Sequence, residues 1–300
     1  MKYKEENQEK YKIVSVIKPH KCPFCKGKEV IKWGWRFNHT TKKQRWKCKS
    51  CSETFTVDDG FLNLKHKREV VTNCISLFMS GMSLRKAVEH FNQFSEYKVS
   101  HMSILRWIWR YGRMLKDYQT KFNLQISGKL HADEIFVRCK KKENYFWDIV
   151  DKDTKVLVST YYSERRDSQS AKMLFLKVKT KPSKLITDSC TAYLKAYRKV
   201  WGARNRKIDK QIYIRTEGYE ENKAIERVHN TIRQRIKVMR DFKASYSADL
   251  ILSLFSVYYN FIRVHQGIRM TPIEKAGVKL DLGQNKWLGL IYNASQNKSI

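Results

Sequence analysis

The 300-residue sequence predicts a mixed α/β protein whose main sheet lies in its second half, preceded by a small cysteine-held module and an all-helical module. Three observations carry this. Two Cys-x-x-Cys pairs bracket alternating, strand-like runs between residues 22 and 51. From Lys65 the apolar period lengthens to that of helices, and from Lys129 it shortens again to that of strands. Beyond that point the two kinds of run follow in the order βββαβαβα. The boundaries are then 1–60 for the cysteine module, 61–128 for the helical module, 129–278 for the α/β domain and 279–300 for a C-terminal tail.

Charge narrows the partners. Against 29 Asp and Glu stand 61 Lys and Arg, a net charge of +32. Such an excess repels itself unless a polyanion absorbs it. A chain lying along phosphates releases counterions with each basic side chain it places, so nucleic acid is the expected partner. Every segment shares the surplus, which points to several modules touching one polyanion. The most apolar stretch, near Leu250 to Ile262, falls short of the about 20 apolar residues a bilayer needs. The N-terminal MKYKEENQEKYK mixes charges of both signs and is no secretory signal. A cytoplasmic protein without a membrane partner is expected.

In the cysteine module, Cys22-Pro-Phe-Cys25 and Cys48-Lys-Ser-Cys51 flank the strand-like runs Val30 to Trp35 and Gln44 to Lys47. Two such turns on short strands can bring four thiolates into the tetrahedron of one structural Zn²⁺, as in a zinc ribbon. A redox dithiol pair is the other reading of these residues, and nothing thioredoxin-like surrounds them. So small a unit needs the metal to fold.

Val70, Val71, Cys74, Ile75, Phe78 and Met79 form a helical stripe that stops at Ser80-Gly81. Ser83 is a natural N-cap for a second, short helix. Ser100 begins a third, with Ile104, Leu105, Ile108 and Met114 on one side and Arg106, Arg110 and Arg113 near the other. Helix, tight turn, short helix and basic helix is the helix-turn-helix pattern, in which those arginines would meet DNA. A plain three-helix bundle would show the same stripes.

The α/β block opens with KLHADEIFVR, Tyr145 to Val150 and Val156 to Tyr162 as a three-strand meander. A helix near Ser168 to Val178, a strand Lys184 to Asp188, a helix Ala192 to Trp201, a strand Gln211 to Ile214 and a long helix from about Asn222 to Met239 complete it. That order is the RNase H-like one, with the first and fourth strands side by side. Three acids fall in telling places: Asp133 within the first strand, Asp188 at the end of the fourth, Glu226 on the first turns of the last helix. An acid inside an apolar strand is costly unless paired or bound to metal. Three converging carboxylates could hold two divalent cations about 4 Å apart, the arrangement of phosphodiester chemistry. Separately, each could be a solvated or ion-paired side chain. Glu134 rivals Asp133, because successive strand side chains face opposite ways and only one should join the cluster.

Ala132-Asp133-Glu134, Thr187-Asp188-Ser189 and Asn222 to His229 resemble the DDE transposases of prokaryotic insertion sequences, nearest those of family six and its archaeal relatives. Tyr259 to His265 and Met270 to Glu274 resemble the tail motif shared with retroviral-type integrases, although Val264 and Ile268 depart from its usual Pro and Leu. The resemblance implies Asp133, Asp188 and Glu226 as ligands of two Mg²⁺ or Mn²⁺. It further implies Arg233 as a terminal-phosphate contact, and Asn222 and His229 as supporting residues. It implies binding of an element's terminal inverted repeats, cleavage there, joining of the 3′-hydroxyl to target DNA, and a homodimer or larger assembly. A DNA-binding protein with a catalytically silent central domain, and a nuclease that cuts without joining, are the rival readings. Ser247 to Ile262, with its apolar face, is expected to pack on the catalytic core.

Overall fold

The computed structural model of the protein describes residues 12–13, 18–37, 41–62, 64–188, 190–202, 211–213 and 223–297. Ser189, Ile214 and Asn222, which figure in the sequence reading, lie outside these. The chain forms two compact units, residues 1–74 with 282–300, and residues 75–281. Among the described residues no helix is long and apolar enough to cross a membrane.

The first unit holds strands β1 (Lys12–Ile13), β2 (Val30–Phe37), β3 (Thr41–Cys48) and β4 (Thr54–Thr56), with β3 central and β2 and β4 antiparallel to it. Helix α1 (Arg68–Met79) follows and carries the predicted apolar stripe, with Val71, Cys74 and Ile75 fully buried.

The second unit continues with α2 (Leu84–Phe94) and α3 (His101–Gln119). Ser83 and Ser100 cap them, accepting from the Lys86 and Ser103 amides at 3.3 and 3.1 Å. Next come β5 (Lys129–Cys139), β6 (Lys142–Asp151), β7 (Leu157–Ser163), α4 (Ser168–Phe175), β8 (Lys184–Thr187), α5 (Thr191–Trp201), β9 (Gln211–Tyr213) and α6 (Lys223–Lys237). This is the predicted βββαβαβα order. The sheet runs β7-β6-β5-β8-β9, antiparallel through β5 and parallel beyond it, so the first and fourth strands of the domain are neighbours.

One sheet face carries Leu130, Ala132, Trp147 and Ile149 into a core with Leu174 and Phe175 of α4 and Tyr193, Ala196 and Tyr197 of α5. Each large side chain withdrawn from water there contributes about 1.5–3 kcal/mol. Helix α6 packs against β5 and β6. Helix α7 (Ser245–Val257), continued by a π-helical turn Tyr258–Ile262, packs along α3 and β7. Gly112 of α3 permits that approach, since a Cβ there would meet the Leu250 carbonyl at 3.2 Å. Asn260, in the π-helical turn, pairs with one residue of the sheet's edge: its amide group donates to the Leu157 carbonyl and its oxygen accepts the Leu157 N–H, both at 2.9 Å. A short α8 (Pro272–Lys275) closes the unit, its Thr271 and Glu274 forming a reciprocal cap.

Within segment 279–300, read from sequence as a tail, residues 282–300 belong to the first unit and Lys286–Gln296 form helix α9. Trp287, Leu290, Ile291 and Ala294 are buried at helical spacing. Ser295 and Gln296 donate to the Asp58 carbonyl at 3.2 and 2.8 Å, and Asn285 to Thr72 at 2.9 Å. Gly60 has φ +86°, and a Cβ on it would lie 2.6 Å from Ile291, so only glycine serves where α9 docks.

Candidate active site and metal centres

Parallel pairing of β5 with β8 sets Lys129, Leu130 and His131 opposite Lys184, Leu185 and Ile186. Continued by two residues, that register brings Asp188, just past β8, level with Asp133. Carboxylate oxygens of Asp133, Glu134 and Asp188 all lie within 4.8 Å of one another. Alternation along a strand allows only one of Asp133 and Glu134 into such a group, yet both belong to it. Asp133 stays close to the main chain, its Oδ1 accepting the Glu134 N–H at 2.9 Å. Glu134 comes from the other sheet face where β8 has ended at Thr187, so no strand separates the two.

The two acids differ in surroundings. Buried Glu134 has both oxygens engaged: Arg166 Nε donates to Oε1 at 2.5 Å, and the Tyr193 hydroxyl donates to Oε2 at 2.5 Å. Burial, reinforced by this carboxylate, drives the Tyr193 hydroxyl well above its ordinary range. Arg166, in the turn after β7, also reaches Asp188 Oδ2 at 3.5 Å, while Asp188 Oδ1 accepts the Cys190 N–H at 3.0 Å. Asp133 faces α6. Burial pushes its carboxyl up to about 7 against the pull of His229. A cation placed beside it would favour its ionised form.

His229 and Asp148 support Asp133. Asp148 stands directly across from Asp133 in the β5–β6 register, on the same sheet face, and is wholly buried. His229 Nε2 lies 3.1 Å from Asp148 Oδ1, and its Nδ1 3.4 Å from Asp133 Oδ2. Burial alone would lower the imidazole pKa. Asp148, by charge and hydrogen bond, and then Asp133 raise it above the usual value. Asp148, Arg166 and Tyr193 are absent from the sequence reading. Only Asp148 carried a readable signal, the same acid-in-an-apolar-strand pattern that marks Asp133.

Glu226 occupies the first turn of α6, half-buried, one turn before His229, and is not a member of the carboxylate group. Arg233 is exposed two turns along the same helix, and Arg106, Arg110 and Arg113 are exposed along α3. Arg235, on α6 like Arg233, is buried: it stacks on the Phe78 ring, with its guanidinium carbon 3.8 Å from the ring centre. Among the described residues its nitrogens have no hydrogen-bond partner, and burial pulls its pKa down to about 9.

The four module cysteines have their sulfurs within 4.8 Å of one another, Cys22 to Cys51 at 3.7 Å and Cys25 to Cys48 at 3.5 Å. Sulfurs about 2.3 Å from a tetrahedral zinc stand about 3.8 Å apart, so the donor set fits that ion. The two turns are built alike. Lys26 and Ser52, each four residues after the first cysteine, have φ of 63° and 62°, and each donates its N–H to that cysteine's carbonyl at 3.0 Å. The Cys51 main chain, by its hydrogen bond, leads in lowering the Cys48 thiol to about 6, while Cys51 itself is pushed up to about 12, by burial and by the neighbouring thiols, so the metal-free cluster favours one thiolate and not four. Cys74, Cys139 and Cys190 are free thiols.

Comparison with known proteins places these features in context. A family model described as a DDE domain matches residues 127–265. A curated relative, the insertion element ISM1 uncharacterized 48.3 kDa protein of Methanobrevibacter smithii, is 25% identical over 168 residues; the match covers 52% of this chain and 41% of the relative's length. Among solved structures, the HTLV-2 integrase catalytic core domain in complex with magnesium is similar at 15% identity and a TM-score of 0.34, over 51% of this chain and 99% of that one. The simian T-cell lymphotropic virus intasome in complex with PP2A regulatory subunit B56 gamma is similar at 11% identity and a TM-score of 0.39, over 69% of this chain and 75% of that one.

Proposed function

We propose, from the match of residues 127–265 to a DDE-domain family, that the protein is the transposase of an insertion sequence: it binds the element's terminal inverted repeats, cleaves there, and joins the freed 3′-hydroxyl to target DNA. The observation that carries the reading is the meeting of Asp133 and Asp188 oxygens where β8 ends beside the middle of its parallel neighbour β5. Asp133 and Asp188 are the ligands for divalent Mg²⁺ or Mn²⁺, with Glu226 of α6 as the third. Glu134 has both oxygens occupied and instead anchors Arg166.

When bound, two such cations supply positive charge to the attacking and leaving oxygens of an in-line phosphodiester exchange. The chain's own residues do the rest. Asp148 fixes His229, and His229 fixes Asp133. Arg166 stands between Glu134 and Asp188 and pairs with both. Arg233, on the exposed face of α6, holds terminal phosphate with a bidentate grip. The cysteine module, folded on one Zn²⁺, and the α3 face bearing Arg106, Arg110 and Arg113 contact the repeats. Two ends must be paired, so a homodimer or larger assembly acts.

The test is a reaction of purified protein with labelled element-end DNA and a plasmid target in Mg²⁺ or Mn²⁺, comparing wild type with Asp188→Asn. Joined product from the wild type alone is expected. Tight end binding with neither nicking nor joining in either metal would remove the catalytic reading, and nicking without joining would leave a nuclease.

A further inference from the structure

Between Val30 and Ser50 the chain has seven Lys and Arg and no Asp or Glu. This stretch is the β2–β3 hairpin, and it keeps aromatic rings in water. Trp33 is 47% exposed and Phe37 58%. Each ring has an ammonium beside it: Lys47 Nζ stands 4.3 Å from the Trp33 ring centre, and Lys42 Nζ 4.6 Å from Trp35 and 5.7 Å from Phe37.

A bulge sorts these pairs onto two faces. Lys32 lies opposite Trp46 and Trp35 opposite Gln44, so β2 spends one residue more than β3 between those pairs. Gly34 sits in the bulge at φ +74°, with nothing within 4 Å of where a Cβ would stand. An extra residue reverses the alternation of a strand. Trp33 therefore shares a face with Ile31 and Lys47, whereas Trp35 and Phe37 share the other with Lys42.

Trp33 lies on the face opposite Trp46 and Cys48, and Phe37, although on their face, stays in water at the far end of β2, so neither ring serves the core. A protein partner is a poor match, because the centres of protein interfaces are depleted of charge, lysine above all. Nucleobases fit better: any base can stack on an aromatic face, and neighbouring ammonium groups take the phosphates between bases. We propose that the β2–β3 hairpin is a stacking prong for unpaired nucleobases of a DNA strand, seated at Trp33 beneath Lys47 and at Phe37 beside Lys42. This rests on the reading that the N-terminal module binds element DNA, and it adds the form of DNA that the module takes: an end whose terminal bases are out of the duplex.

The full-length zinc-loaded protein is titrated with fluorescent element-end DNA, either blunt or carrying five unpaired terminal nucleotides, at one fixed salt concentration. Wild type should bind the frayed end roughly tenfold more tightly, the scale of one or two stacked bases. Trp33→Ala and Phe37→Ala should each erode that preference while holding blunt-end affinity within about twofold, and Trp33→Phe should restore it. Zinc content equal to wild type confirms that each variant is folded. Equal wild-type affinity for the two ends, or variants that weaken both ends alike, overturns the prong and leaves the transposase reading standing. No binding to either end by the wild type overturns both.

Discussion

His229 is tied to the wholly buried Asp148 through Nε2 at 3.1 Å, which turns Nδ1 toward Asp133 at 3.4 Å. The arrangement makes Asp148 a support of Asp133, and so of the proposed metal site, without being a ligand itself. Removing such a partner typically weakens metal binding 10- to 100-fold. Asp148→Asn, which keeps the shape and loses the charge, should weaken Mn²⁺ binding by about that factor with an unchanged far-ultraviolet circular dichroism spectrum. Calorimetric titration with Mn²⁺ checks this, and an unaltered affinity would remove Asp148 from the site.

Proton competition follows from the same cluster. Asp133 has its folded pKa raised to about 7, above an unfolded value of about 3.9. Its ionised form is thus penalised in the metal-free fold, and that penalty is absent below pH about 4 and complete above about 7. His229, raised above its model-peptide value, acts in the same direction, contributing stability below about 6.5 that is lost as pH rises through the folded value. Stabilisation by Mg²⁺ should therefore grow from pH 5 to pH 8. Thermal melts with and without Mg²⁺ measure it, and in Asp133→Asn the increment should be flat or much reduced.

Glu134 depends on Arg166 for charge compensation. Arg166→Ala leaves a buried carboxylate with the Tyr193 hydroxyl as its remaining partner. Breaking a fully buried ion pair costs about 3–5 kcal/mol; because the arginine is 39% exposed, a loss of about 2 kcal/mol is expected. Adding Glu134→Gln to that variant should recover much of the loss. Urea unfolding of the four proteins of the cycle decides it, and additive losses would deny the coupling.

The cysteine module should stand or fall with zinc. Cys48→Ser, or a strong chelator, should abolish the one bound zinc per chain and unfold residues 18–62, while the carboxylate unit keeps its own melting transition. Metal analysis together with amide exchange resolved by segment reads both outcomes at once.

Arg235 predicts a gain. Its guanidinium is buried without a hydrogen-bond partner among the described residues, and the contact with Phe78 returns only part of the cost of desolvation. Arg235→Met should raise the stability of the DNA-free protein by about 1 kcal/mol or more. A fall in melting temperature would show that the charge is compensated.

The element order of the second unit was legible because its periods alternate cleanly, and Asp133 was legible because an acid interrupts an apolar strand. Asp148 interrupts the next strand in the same way, but an isolated acid says nothing of a cross-strand partner until the register is known. Arg166 lies in a turn and Tyr193 on an apolar helix face, so neither carries a local pattern. The joint presence of Asp133 and Glu134 depends on where β8 stops, which one-residue alternation does not encode. Helix α9 was readable: Trp287, Leu290, Ile291 and Ala294 have helical spacing, masked by the polar residues between them. The packing of α6, and with it the place of Glu226, is set by tertiary contact alone.

Asn260 imitates a strand. By giving and taking one hydrogen bond each with Leu157, its side chain supplies at the start of β7 what a neighbouring backbone would otherwise offer. β7 is the outermost strand on that side of the sheet, and exposed borders of this kind invite pairing between molecules and aggregation. With Asn260 already seated there, a strand from another molecule finds no free ladder position at Leu157, and the self-repulsion of a highly basic chain adds to that barrier.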